Sequence, residues 1–172
     1  MEFGELIKKR RSVRAYKQKE VGIDLIEKLL EMVLLAPSAG NLQSYKMIIV
    51  RDNDVKRLLA KAAWNQDFMV EAPVNIVFCA DLSKASSRYG RRGAELYSIQ
   101  DATIATTYLL LAACENGLAS VWIGAFDEEE VRKILQLPNS LKPVSIVPIG
   151  YPNEYPSATP RCSLREMVIK SL

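Results

Sequence analysis

ELYSIQDATIATTYLLLAACENGLASVWIGAF, residues 95–126, decides the fold. Over residues 95–116 the apolar positions recur with helical spacing, and Gly117 follows as a C-terminal stop. Ala, Thr and Leu occupy most faces, so this long helix is predicted to be central and buried. Residues 119–123 then read as a strand that runs into Gly124. A buried helix feeding a strand implies helices layered on a sheet.

Reading outward gives the same alternation. Helices are predicted over residues 2–9 and 23–35, the second stopped by Pro37. Residues 45–50 and 74–80 read as buried strands, with a helix over 55–63 between them. Residues 81–93 are polar and rich in Gly, Ser and Arg, hence a predicted loop. Residues 127–137 read as a helix whose first turn is acidic, where the macrodipole favours carboxylates. Residues 144–149 form the last predicted core strand. After a Pro-rich tail, Ser163 to Glu166 has the form of a capping box opening a short helix. Without repeats or a linker, residues 1–172 are read as one domain. The alternation suits an α/β or an α+β three-layer sandwich, and periodicity does not choose between them.

Composition excludes whole classes of chemistry. The 172 residues contain no histidine, so Ser-His-Asp, Cys-His, HExxH and kinase HRD arrangements are all absent. GxGxxG and GxxxxGK[ST] are also missing. Catalysis must use carboxylates, cysteine, lysine, tyrosine, the backbone or a borrowed cofactor. Cys79, Cys114 and Cys162 form no CxxC; the first two lie in apolar runs and read as core thiols. No metal site is expected. The chain opens without the long apolar region of a signal peptide, and no apolar stretch reaches the ~20 residues of a membrane span. A cytoplasmic location away from membranes is expected.

The net charge of +3 is unevenly placed. Residues 1–20 hold seven Lys/Arg and three Asp/Glu, and the remainder of the chain is nearly neutral. A nucleic-acid binder spreads its basic residues along a face, so a small anion such as a phosphate is the better match. Arg10-Arg11-Ser12-Val13-Arg14 supplies guanidinium forks and a hydroxyl, and in an extended segment Arg10, Ser12 and Arg14 share one side. From composition alone a solvated helix end is the favoured explanation of the same residues.

Two further stretches stand out. Residues 36–44, APSAGNLQS, place the amides of Asn41 and Gln43 in a small-residue loop, suited to a heteroaromatic edge with donors and acceptors. An ordinary helix-to-strand turn is the alternative. In residues 121–126, VWIGAF, Gly124 lets a flat ligand approach the main chain, whereas Val121 and Ile123 read as core. Arg161, after Pro160, is a fourth candidate, able to close over a phosphate. Trp64, Tyr89 and Phe126 read as packing residues before substrate-side ones.

In order and spacing these pieces resemble the nitroreductase family of FMN-dependent flavoproteins, nearly end to end. The matching stretches are RRSVRAY (10–16), APSAGNLQSYKMIIV (36–50), residues 98–126, VPIGYP (147–152) and PRCSLREMV (160–168). Ser44-Tyr45 stands where the family carries Pro-Trp. The resemblance implies an α+β sandwich with a mostly antiparallel central sheet flanked by helices, in an intertwined homodimer with FMN at the interface. It implies that Arg10, Ser12 and Arg161, with Arg11, hold the phosphate, and that Arg14 approaches the flavin pyrimidine edge. Pro37, Ser38, Ala39, Asn41 and Gln43 are then contacts from the partner subunit. Asn65 stands where members carry an amide near the ring, and Ile123 and Gly124 offer backbone near N5. The implied activity is hydride transfer from NADH or NADPH through the flavin to a nitroaromatic or quinone, with no catalytic side chain required. A flavin-binding storage or sensing module is the alternative.

Overall fold

Every residue of Val74–Asp81 is buried, as a strand covered on both faces requires. This strand, β2, lies between β1 (Tyr45–Val50) and β4 (Leu141–Gly150), and β4 also pairs with the two-residue β3 (Ala119–Ser120). All three pairings are antiparallel. The computed structural model describes residues 2–171. Its helices are α1 (Phe3–Lys9), α2 (Ile23–Val33), α3 (Asn53–Ala62), α4 (Phe68–Glu71), α5 (Leu82–Arg92), α6 (Ser98–Glu115), α7 (Glu128–Ile134) and α8 (Leu164–Met167). The antiparallel sheet decides the choice that periodicity left open: the chain is α+β.

The alternation of side chains along β2 builds the three layers. Ile76 and Phe78 pack with Ile26 and Leu29 of α2 and with Ala105 and Leu109 of α6. Val77 and Cys79, on the opposite face, pack with Leu59 of α3 and Val131 of α7. The predicted burial of the long helix holds, since nine of its eighteen residues are buried. One polar pin crosses from this helix to the sheet. Thr106 donates to Ala102 O at 2.8 Å, which leaves Ser145 of β4 to donate to Thr106 Oγ1 at 2.8 Å.

Several predicted boundaries move, each for a local reason. Residues 81–93, predicted as a loop, contain helix α5. Asp81 caps it by accepting from Lys84 N at 2.9 Å, and the helix kinks at Gly90 (φ 55°, ψ −145°). Its Ser, Gly and Arg content hid it, because only Ala85 is buried and there is almost no apolar stripe to read. The predicted helix from residue 95 begins as one wide turn, Gly93–Tyr97, before α6. Gly93 is required there, since a Cβ would lie 2.3 Å from Ala85 O. The predicted strand over 119–123 leaves the sheet after Ser120 and rejoins it only at Ile123, which exchanges two 2.9 Å bonds with Ile146. Helix α4 escaped notice because it is four residues long. The capping box at Ser163 and Glu166 forms as predicted.

Residues 12–17 are stitched along the sheet edge. Val13 N donates to Ser120 O at 3.2 Å, Lys17 N to Tyr151 O at 2.9 Å, and Asn153 N to Ala15 O at 3.0 Å. Tyr16 is buried there, donates to Val13 O at 2.8 Å, and has its phenol pKa raised, chiefly by burial. Among the described residues no helix is long and apolar enough to cross a membrane.

Leu109 is fully buried between α6 and the sheet. Truncation to alanine should cost about 2–5 kcal/mol. Chemical denaturation should show this as a lowered midpoint with an unchanged m-value.

Candidate functional site

The basic N-terminal stretch forms one wall of a cavity of about 470 Å³. Lys9, Arg10 and Arg11 line it with Cys114, Ser120 and Tyr155. Arg11 is folded back, donating from Nη1 to Lys8 O and, at 3.0 Å, to Arg10 O. Its Nε is buried and has no hydrogen-bond partner. Among the described residues no ion pair joins Lys9, Arg10 or Arg11 to a carboxylate. The one lining carboxylate, Glu154, accepts from the Arg14 backbone N–H. The cavity wall is therefore cationic, with an unused donor.

The remaining predicted residues of this group are dispersed. Ser12 pairs through its backbone with Ser120, which lines the cavity. Arg14 is exposed outside it. Arg161 is exposed on the C-terminal tail and donates to Thr159 O at 3.2 Å and Pro160 O at 3.1 Å.

A second group is gathered by a carboxylate that sequence reasoning missed. Asp101 of α6 is 1% exposed. It accepts from Ala39 N at 2.9 Å, from Ser44 N at 3.2 Å and from Ser44 Oγ at 2.5 Å. Within the loop, Ser38 Oγ accepts from Gln43 N at 2.9 Å, and Gln43 Nε2 donates to Asn41 Oδ1 at 3.0 Å. Pro37, Ser38, Ala39, Asn41 and Gln43 are thus held as one unit. The readable signal was a lone acid inside the apolar run of α6.

Backbone strain marks the same places. Gly40 (φ 55°), Asn41 (57°) and Gln43 (46°) are left-handed, as are Trp64 (61°) and Asn65 (60°). Among the described residues only one other non-glycine, Gln136, has positive φ. Outside glycine such angles cost about 1–3 kcal/mol each and concentrate where main chain must be presented in a fixed way. The Asn65 loop is tied to the segment after Gly124, because Asp127 N donates to Ala62 O at 2.8 Å. Ile123 is buried, whereas Gly124 and Ala125 are exposed. Among the described residues the amides of Gly124 and Ala125 have no protein partner.

Helix α5 covers the outer side of the 37–43 loop. Arg88 Nη1 donates to Gly40 O at 3.1 Å and Lys84 Nζ to Gln43 O at 3.4 Å. Tyr89 presses on Gly40, where a Cβ would lie 2.3 Å from its hydroxyl oxygen. Tyr89 also packs edge-to-face on Tyr97, and Phe126 packs on the second core face. Trp64, in contrast, is 67% exposed. A second basic stretch lies beyond the N-terminal one: residues 82–92 hold Lys84, Arg88, Arg91 and Arg92 and no acid.

Burial holds Cys79 and Cys114 away from the reactive thiolate form. Cys79 is fully buried, and burial pushes its pKa up to about 12. Cys114 is also raised, chiefly by burial, although Lys9, Arg10 and Arg11 oppose this. Among the described residues no cluster of His, Cys, Asp or Glu could hold a metal ion.

Known proteins share this architecture. The Nitroreductase family model matches residues 7–66 and 55–151. The chain is 38% identical over 178 residues to a Thermus thermophilus protein named NADH dehydrogenase, with 87% of each chain covered. A nitroreductase family protein of Streptococcus pneumoniae superposes with a TM-score of 0.90 at 25% identity, over 99% of this chain and 100% of that one. An FMN-dependent nitroreductase of Clostridium difficile superposes with a TM-score of 0.78 at 32% identity, over 90% of each chain.

Replacing Asp101 with alanine strands the half-buried Ala39 donor and the buried Ser44 donors and should cost about 3 kcal/mol. Hydrogen exchange at those two amides should accelerate more than at β2 amides. In the folded protein a thiol reagent at mildly alkaline pH should label exposed Cys162 and spare Cys79 until denaturant is added.

Proposed function

The chain belongs to the nitroreductase family, and on that premise we propose that it is an FMN-dependent oxidoreductase. It draws on NADH or NADPH and serves an electron-poor acceptor such as a nitroaromatic or quinone. The observation that carries this reading is the cationic cavity wall, where Lys9, Arg10 and Arg11 converge without carboxylate partners and Arg11 Nε is left unpaired. A phosphate monoester satisfies the excess charge.

When bound, FMN supplies hydride transfer at its N5 position. The chain's own residues bind and orient it. Arg10 and Arg11, with Ser12 and Arg161, hold the phosphate. Arg14 would approach the pyrimidine edge, where its charge would favour electron-rich flavin. The strained loops supply fixed main-chain and amide groups through Pro37, Ser38, Ala39, Asn41, Gln43 and Asn65. Ile123 anchors the turn that presents the free Gly124 amide. None of these roles requires a side chain that titrates near neutrality, which suits a chain without histidine.

The site is completed between two copies of the chain. Supporting this, among the described residues no hydrogen bond or ion pair joins the Arg10–Arg14 stretch to the 37–43 loop. The C-terminal tail also leaves Leu164, Met167 and Ile169 exposed, an apolar surface that a partner would cover.

Purified protein should be yellow, dimeric by sedimentation, and bleached by NADH or NADPH without oxygen. A colourless protein that takes up no FMN would falsify the reading, and bound FMN that no dihydronicotinamide bleaches would assign it to storage or sensing. Combined Arg10→Ala and Ser12→Ala should weaken FMN binding roughly tenfold or more, as loss of charge-assisted contacts implies. Equilibrium titration with FMN measures this.

A further inference from the structure

Helix α5 carries four basic residues and no acid, yet they are not equivalent. Arg91 is paired with Glu95 at 2.7 Å. Arg92 donates to Tyr97 Oη at 2.9 Å and stacks on that ring. Lys84 and Arg88 have no carboxylate partner among the described residues. Both instead touch backbone carbonyls of the 37–43 loop, at Gln43 and Gly40. Their spacing of four residues puts them on one helix face, about 5–6 Å apart at Cβ.

Arg88 is also held in place from below. Its guanidinium lies 5.4 Å from the Tyr89 ring centre, and Tyr89 is braced by Tyr97 at 5.2 Å. A guanidinium fixed by a ring and a carbonyl has already lost much of its rotamer freedom, so it binds an anion at lower entropic cost. Two exposed, unneutralised cations at this separation match two linked phosphates better than a single carboxylate.

We propose that Lys84 and Arg88 form the subsite for the pyrophosphate of the dihydronicotinamide dinucleotide donor. This rests on the reading that the 37–43 loop borders the flavin. With that loop against the ring system, a nicotinamide stacked on the flavin leaves its phosphates to run outward over the loop. There α5 supplies the only unpaired cations bonded to loop carbonyls among the described residues. The 2′-phosphate is not part of the subsite, so NADH and NADPH are served alike. Arg88 and Lys84 act on donor binding and leave the transfer step unchanged.

The test uses the FMN-loaded full chain and the double variant Lys84→Gln, Arg88→Gln. Anaerobic stopped-flow measures flavin reduction by NADH, by NADPH and by N-benzyl dihydronicotinamide, which lacks phosphates. Titration with oxidised NAD+ gives a binding constant independent of turnover. The proposal expects a roughly tenfold loss of apparent affinity for NADH, NADPH and NAD+ alike, with reduction by the phosphate-free donor unchanged. Unchanged NADH and NAD+ affinity overturns it. An equal loss with the phosphate-free donor also overturns it, because that marks collapse of the loop. Loss confined to NADPH overturns it in favour of a 2′-phosphate site. Wild-type protein that binds no FMN defeats the underlying reading instead, and it is recognised by absorbance before any variant is made.

Discussion

A single buried carboxylate ties the core to the candidate site. Asp101 sits on α6, the helix whose apolar side chains pack on β2, and it receives Ala39, Ser44 N–H and Ser44 hydroxyl from the loop that leads into β1. A charge at 1% exposure is tolerable only with such a set of donors. The same bonds that satisfy the charge fix both ends of the 39–44 segment. Strain at Asn41 and Gln43 can then be held in place, because the surrounding structure over-determines those angles. The core thereby sets the position of a loop that would otherwise be an ordinary turn.

Charge is handled differently at the two basic stretches. At the N-terminus, Lys9, Arg10 and Arg11 line a cavity, and the buried Nε of Arg11 is left without a partner. On α5, the arginines toward the C-terminal end are occupied by Glu95 and Tyr97, and the two that reach the 37–43 loop stay open. An inward cationic wall suits a retained phosphate. An exposed pair on a helix face suits an anion that comes and goes. In the proposed function these are the tail of FMN and the bridge of its electron donor.

Much of this was legible in the sequence, and the exceptions have physical causes. The long helix, the strands at 45–50 and 74–80, and the capping box at Ser163 were readable because apolar period and cap chemistry agree there, but the first strand lies at the sheet edge with only Tyr45 and Val50 buried, not buried throughout as predicted. Helix α5 was not, because it buries one residue and meets the 37–43 loop through polar contacts far apart in sequence. The candidate loop was found from its small residues and amides, but its anchor was not, since Asp101 is brought to it only by folding. Arg10 and Arg11 line one cavity, as their adjacency in the sequence allows, whereas Arg161 lies apart on an exposed tail.

The central claim is that the phosphate-binding stretch of one chain and the 37–43 loop of another build each site. Mixing two defective chains tests it directly. One carries Arg10→Ala with Ser12→Ala, the other Asn41→Ala with Gln43→Ala, and the subunits are exchanged by mild denaturation and refolding. Neither parent should bind FMN well. The account predicts that mixing restores tight binding at one site in each mixed dimer, where both unaltered parts meet. If mixing restores no binding while mixed dimers form, both parts act within one chain, and the shared site is contradicted.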